Sequence, residues 1–394
     1  MIEEHTIFIK LLSDYLAGKK SEDIANVDWS ILTTLAKAHQ VEGIVFYQCK
    51  NYMPSEVYSL FERKFSSTIY YYKNRERVWK NVCHTFNENG IPVLSIKGLE
   101  IANYYPVPSL RTMGDLDILV HLEDKEKAGD LLEQLGFIIK ERNPYYDWQC
   151  SFNGLLFELH HNLLYQEAST RNAQAVFFND YWNYEKDGRL DWSFHFLYLI
   201  AHLRKHLMNK GVGFRLFMDL AVVIQKVSTL DWLWIEEKLN ELEMLRFAQT
   251  CFALINYWFG ISAPIEYSDL DTQFLEETTE KILTNGVFGF QDRNNDINNT
   301  INQLNNNGRV VFISRIKLFW KMLFPSYHNM ANCSHYKFIR DRAWLLPVAW
   351  VYRIYRMIMG KTTSANTIIQ RIMTPKNEIN KREAELKKWG LWDR

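Results

Sequence analysis

The stretch Asp115-Leu116-Asp117-Ile118-Leu119-Val120 constrains this chain more than any other. It alternates polar and apolar residues and then becomes wholly apolar, as a strand entering a core does. Residues i and i+2 of a strand point to one face. Asp115 and Asp117 therefore present two carboxylates side by side, with Leu116 turned into the core. Such neighbours repel unless a cation lies between them. Hard oxygen donors suit Mg²⁺, which is usually held by one or two carboxylates plus substrate phosphates. That is the minimal equipment of phosphoryl or nucleotidyl transfer. A solvated strand end or a turn also carries Asp-x-Asp, so the surroundings decide.

A second strand-like run, Ile91 to Ile96, ends in Lys97-Gly98. Gly98 lets backbone approach a phosphate, and a following helix, Leu99 to Tyr104, would aim its first amides at an anion. A third acid, Glu158, lies in the alternating run Leu155 to His160. By the same alternation His160 shares its face and His161 points away. Arg111, four residues before Asp115, either pairs with that carboxylate, binds the leaving pyrophosphate or fixes its loop through backbone carbonyls. His202 and His206 share one helix face. No Glu stands between them and no third ligand is evident, which disfavours zinc. Arg215 and Asp219, also four apart, either pair with each other or leave Arg215 to reach a phosphate.

Taken together, Lys97-Gly98, Tyr105-Pro106-x-Pro108-x-x-Arg111-x-x-Gly114-Asp115-x-Asp117-Ile118-Leu119-Val120, Leu135-Gly136-Phe137 and Glu158-Leu159-His160 resemble the uncharacterised nucleotidyltransferase family of bacteria, within the polymerase-β-like superfamily. The resemblance spans residues 25 to 260 or so. It implies that Asp115 and Asp117 hold Mg²⁺ (or Mn²⁺) and that Glu158 is the third carboxylate. It also implies that a His-bearing helix, with His202, and the Arg215-x-x-x-Asp219 helix pack beside the site. Lys97, Gly98, Arg111, His160, His202 and Arg215 are then the candidate nucleotide contacts. The implied activity moves a nucleoside monophosphate from an NTP to a hydroxyl or phosphate acceptor and releases pyrophosphate. The chain departs from many superfamily members at the glycine turn, where Lys97-Gly98-Leu99 replaces Gly-Ser or Gly-Gly. That departure keeps two alternatives open, a catalytically silent nucleotide-binding or assembly protein and a kinase-like phosphotransferase.

The fold expected is α+β: a small mixed-sheet nucleotidyltransferase core flanked by N-terminal and C-terminal helical regions. Helical periodicity covers residues 1–90, with a stripe of Ile7, Phe8, Leu11, Leu12 and Tyr15, an Asp28 cap, and a long helix from Pro54 to Asn89. Residues 91–190 carry the catalytic core, with strands at 91–96, 116–121, 137–142, 148–153 and 155–161, and an aromatic, irregular lid or substrate-side loop over 162–190. A helical domain follows over 191–289, then an Asn-rich linker over 290–309 and a basic, aromatic-rich helical region over 310–394.

Overall net charge is +0, which gives no global pull toward nucleic acid. The acceptor is therefore expected to be small or sugar-like, with nucleic acid less favoured. Residues 315–394 are nevertheless strongly basic, with acidic compensation upstream, and carry Trp-rich amphipathic segments. These either dock on the rest of the chain or make peripheral membrane contact. The five cysteines are scattered, which disfavours a disulfide framework. The acidic start Met1-Ile2-Glu3-Glu4-His5 lacks a signal-peptide layout, so the expected location is cytoplasmic, with a membrane-peripheral variant.

Overall fold

Leu116, Ile118, Leu155, Phe157, Leu159, Trp148 and Cys150 lie on one side of a single sheet and are all buried. This is the side that the strand alternation assigns to the core. In the computed structural model the described residues are 2–22, 24, 27–143, 146–165, 172–209, 212–267, 270–286, 320, 323–331, 333–359 and 375–391. The chain forms two units. The first comprises Met1–Arg142, Asp147–Phe290 and Trp389–Leu391, the second Asn143–Tyr146, Gln291–Lys388 and Trp392–Arg394.

The first unit begins with four helices: α1 (Glu3–Leu16), α2 (Trp29–His39), α3 (Glu42–Cys49) and α4 (Ser55–Glu88). The expected stripe on α1 is buried through Phe8, Leu11, Leu12 and Tyr15. Asp28 caps α2 by accepting from the amides of Ser30 at 2.8 Å and Ile31 at 3.4 Å, which satisfies donors that a helix start leaves orphaned. Pro54 precedes α4, and Gly90, at φ +67°, follows it.

The sheet contains β1 (Leu94–Ile96), β2 (Asp115–Leu119), β3 (Ile138–Ile139), β4 (Trp148–Phe152) and β5 (Leu155–His160), in the order β1-β2-β5-β4-β3. Only the central β2–β5 pair is parallel. Between β1 and β2 lies the short helix α5 (Gly98–Ala102), which ends before Tyr104. The connection from β2 to β5 runs through α6 (Lys125–Gln134), the edge strand β3 and its neighbour β4. Asn153 and Gly154 close the β4–β5 hairpin with φ of 48° and 78°, the two positive angles that a two-residue type I′ turn requires. α4 and α6 cover the apolar face, where Val82 and Phe86 meet Ala128, Leu131 and Leu132. At Gly129 an added Cβ would lie 2.5 Å from Trp148 Cζ3, so α6 approaches the sheet this closely only because the residue is glycine.

The opposite face is closed by helices. After β5 come α7 (Asn172–Asn179), the hairpin β6 (Glu185–Lys186) and β7 (Arg189–Leu190), then α8 (Trp192–Asn209), α9 (Phe214–Lys226), α10 (Trp232–Glu241), α11 (Leu245–Phe259) and α12 (Thr272–Asn285). The described part of 162–190 is therefore packed structure rather than an open loop. Phe178 and Tyr181 are fully buried, and Tyr184 stacks on Phe194 at 4.3 Å. Of the aromatics in the expected lid or substrate-side loop, Phe178 and Tyr181 are core residues, because a planar side chain buries large area at low entropic cost, whereas Tyr165 stands on the cavity side of the sheet. The Asn-rich stretch 290–309 lies outside the described residues.

The second unit contains α13 (Tyr327–Ala331), α14 (Leu346–Ile358) and α15 (Lys376–Lys388). Its small core joins Met330, Ala331, Tyr336, Ile339 and Ala349. Trp350 Nε1 donates to the Pro325 carbonyl at 2.9 Å, and Arg340 Nε to that of Ala331 at 2.8 Å. Among the described residues, no helix is long and apolar enough to cross a membrane.

Candidate functional site

Parallel register sets Asp117 directly opposite Glu158 and Leu119 opposite His160, while antiparallel register sets Ile96 opposite Asp117. The polar face of the sheet therefore gathers residues from three strand ends. It opens into a cavity of about 430 Å³, walled on the other side by α8 and α9. The nine candidate metal and nucleotide contacts all line it: Lys97, Gly98, Arg111, Asp115, Asp117, Glu158, His160, His202 and Arg215.

Lys97 follows β1 and precedes α5 at φ +60°, a left-handed backbone that favours glycine. Its amide donates to His195 Nε2 at 3.3 Å. His195 thus accepts at Nε2, and burial followed by the nearby Lys97 and Arg111 charges pushes its pKa down to about 3. Lys97 Nζ turns back to Asp117 Oδ1 at 3.1 Å. Gly98 packs tightly, since a Cβ there would sit 3.2 Å from Leu116 Cδ1.

Asp117 is 5 % exposed. Burial alone would raise its pKa, but Lys97 and His160 hold it well below the usual carboxylate range. His160 Nε2 lies 2.9 Å from the same Oδ1 and 3.5 Å from Glu158 Oε2. His160 Nδ1 lies 2.9 Å from Asp147 Oδ1, to which Tyr165 donates at 2.5 Å. Against its burial, the imidazole is held well above its ordinary pKa by Asp147, Asp117 and Glu158. Asp147, also against its burial, is held low by His160 and Tyr165.

Asp115 contrasts with its neighbour. Its carboxylate makes no hydrogen bond or ion pair among the described residues. Burial first, then Asp117 and Glu158, push its pKa up against the pull of Lys97 and Arg215. One aspartate is thus neutralised in direct contact by two cations, and the other feels Lys97, Arg215 and Arg75 only at a distance at the cavity wall. Oxygen and nitrogen atoms of Asp117, Glu158 and His160 lie within 4.8 Å of one another, close enough to share a cation, and Asp115 falls outside that group. Of these donors the carboxylates of Asp117 and Glu158, with Asp115 beside them, suit a divalent metal, whereas His160, held protonated between Asp117 and Asp147, offers no lone pair in this form.

Arg111 is committed elsewhere. Its Nε and Nη2 donate to the two oxygens of Asp219, both at 2.7 Å, and Nη1 donates to the Gly98 carbonyl at 3.1 Å. Tyr105 adds a 2.7 Å bond to Asp219 Oδ1. A fork-to-fork pair of this kind is strong and geometrically specific. It ties the turn after β1 to α9, so the loop-fixing role is the one the geometry displays. Of the two alternatives for Arg215, the pairing with Asp219 on α9 is not formed, because both Asp219 oxygens are taken by Arg111. Arg215 Nη1 instead donates to the Thr112 carbonyl at 2.8 Å, and its buried Nε has no partner. Burial, then the Arg111 charge, lowers its pKa.

On α8, Tyr198, His202 and His206 follow at helical spacing. Their rings are 5.9 and 4.4 Å apart in sequence, and they edge the cavity. Burial, then nearby cations, keeps His202 neutral by lowering its pKa well below normal. Asp147, Tyr165 and His195 escaped the sequence reading. Asp147 and Tyr165 sit in irregular segments with no periodic signal. Tyr198 was legible in principle as the residue one turn before His202.

Residues 25–260, which include all of these side chains, match the family model described as uncharacterised nucleotidyltransferase. No curated protein and no solved structure matches the chain.

Proposed function

The chain belongs to the uncharacterised nucleotidyltransferase family, and on that premise we propose that it transfers a nucleoside monophosphate from an NTP to a small or sugar-like acceptor. The observation that carries this reading is the pairing of Asp117 with Glu158 across the β2–β5 register, with Asp115, whose carboxylate makes no ion pair among the described residues, beside them. Asp115, Asp117 and Glu158 would hold Mg²⁺ or Mn²⁺, which when bound neutralises phosphate charge and orients the α-phosphate.

The other residues divide the remaining work. Arg215, with a buried Nε that has no partner, and Lys97, once its ammonium turns from Asp117, are the cations assigned to a triphosphate, since Arg111 is held by Asp219 and Gly98. His160 and Asp147 brace Asp117 from behind. The acceptor oxygen attacks the α-phosphorus in line, the bond to pyrophosphate breaks, and Glu158 takes the acceptor proton. Packing His202 in its neutral form beside these groups leaves it able to accept a hydrogen bond from ribose or the acceptor.

One observation favours a catalytically silent binding protein as the second reading. Asp117 is already satisfied by Lys97 and His160, so a metal must compete with an ammonium. Incubation with each α-labelled NTP, Mg²⁺ and a small-molecule extract separates the readings. Label transfer with pyrophosphate release supports the proposal. Tight NTP binding without turnover supports the silent protein, and release of a nucleoside diphosphate points to a kinase-like reaction.

A further inference from the structure

The second unit carries an apolar surface that its own core does not use. Along and just before α14, the residues Trp344, Val348, Val351, Tyr355 and Ile358 are 75, 55, 69, 50 and 79 % exposed. Their spacing alternates four and three, so they form one straight stripe on the helix. The opposite side of α14 is the packed one, where Ala349 is fully buried against Ile339 and Tyr336, with Trp350 and Leu346 beside it. Helices of folded units normally turn such a stripe inward, and contiguous exposed apolar patches mark interaction sites.

The charge around the stripe indicates the occupant. From Arg342 to Met359 there is no acidic residue, and Arg353 and Arg356 lie off the stripe. Over residues 333–359, which hold the stripe and most of the small core behind it, Asp341 is the one acidic residue, against Lys337, Arg340, Arg342, Arg353 and Arg356. A second copy of the chain would bring this cationic surface against itself. An anionic lipid surface would neutralise it and accept the apolar stripe together, with Trp344 and Tyr355 at the depth that amphipathic rings prefer. At 13 residues α14 is too short to span, which needs about 20 residues.

We propose that α14 lies in the interfacial plane of an anionic membrane, with Trp344, Val348, Val351, Tyr355 and Ile358 inserted among the lipids. The full chain should co-sediment with sucrose-loaded vesicles of phosphatidylcholine containing phosphatidylglycerol, less so as salt is raised, and weakly with phosphatidylcholine alone. Val351→Asp and Ile358→Asp change exposed positions and should leave the far-UV circular dichroism and melting curve intact while weakening vesicle binding by about tenfold or more. Leu233→Asp, at an exposed apolar residue of the first unit, should leave binding unchanged. Absence of binding to the anionic vesicles, or equal binding by the Asp variants, overturns the proposal. So does a light-scattering mass of a dimer that Val351→Asp dissociates in the absence of lipid binding, which would assign the stripe to a second copy.

Discussion

Replacing Asp117 by Asn removes one charge from the centre of the acidic cluster and keeps the side-chain shape. The lost oxygen charge receives Lys97 Nζ at 3.1 Å and His160 Nε2 at 2.9 Å inside a buried site. Each hydrogen bond to a charged group contributes about 1.5–3 kcal/mol. Some of this is recovered, because the change also removes repulsion between Asp117 and Asp115 and lets Lys97 turn toward Asp115. We therefore expect a net loss of about 2–4 kcal/mol for the protein without ligand. The first unit has roughly 290 residues and an unfolding entropy of about 0.6 kcal/mol/K, so Tm should fall by about 3–7 °C. Wild type at an NTP concentration 100-fold above Kd should gain about 2.7 kcal/mol, or about 4–5 °C, in the presence of Mg²⁺. The variant should gain nothing. Because Asp117 has a depressed pKa when folded, its contribution is complete above the unfolded value of about 3.9 and is lost as pH falls below it. The Asn variant should therefore have the flatter acid limb. Scanning calorimetry with and without Mg-NTP reads all three quantities. An unchanged or higher Tm without ligand refutes the ion-pair energetics, and a retained ligand shift refutes the assignment of the site.

Asp219→Asn leaves the Arg111 guanidinium buried without its counter-charge and should cost about 3–5 kcal/mol, seen as a lower urea midpoint at unchanged m. Gly129→Ala drives a methyl group into the Trp148 ring and should cost about 1–3 kcal/mol by overpacking; a wild-type melting curve would show that α6 can shift. His39 is buried against Phe8 and Phe214, and burial pushes its pKa down to about 4. Its neutral form therefore contributes stability that is complete above the ordinary value of about 6.5 and declines as pH drops toward the folded value. His39→Phe should abolish this decline between neutral and mildly acidic pH, at a cost of about 1 kcal/mol for the lost bond to Leu283, measured as Tm against pH.

Much of the site could be read from the chain because it obeys a two-residue period. Asp115, Asp117, Glu158 and His160 sit on strands, where alternation alone tells which residues share a face. The metal-binding reading and the Lys97-Gly98 turn follow from that pattern. What the sequence concealed is who neutralises whom. Arg215 and Asp219 are helix neighbours, yet Asp219 belongs to Arg111, which arrives from a loop more than a hundred positions away. Two adjacent aspartates suggest mutual repulsion, whereas one of them is paired twice and the other not at all. Asp147 and Tyr165 lie in segments without periodicity, so their place behind His160 is a tertiary fact. The aromatic segment 162–190 is legible only in part for a related reason: composition marks it as sticky without saying that Tyr165 edges the site while Phe178 and Tyr181 enter the core.

The parallel pairing of β2 with β5 also orders the events of folding. The β4–β5 hairpin closes through two residues, Asn153 and Gly154, and can form locally. Alignment of β5 on β2 must instead close a chain segment of about 40 residues, and contacts of that separation form late. Asp117 and Glu158 therefore meet only after both hairpin strands exist, and the mutual repulsion of the acids cannot oppose the earlier steps. During translation, a chain that has emerged only as far as β4 would hold two of the three acids and gain the last with the closing strand. Low φ-values at Leu159 beside higher ones at Cys150 would be the kinetic signature of this sequence.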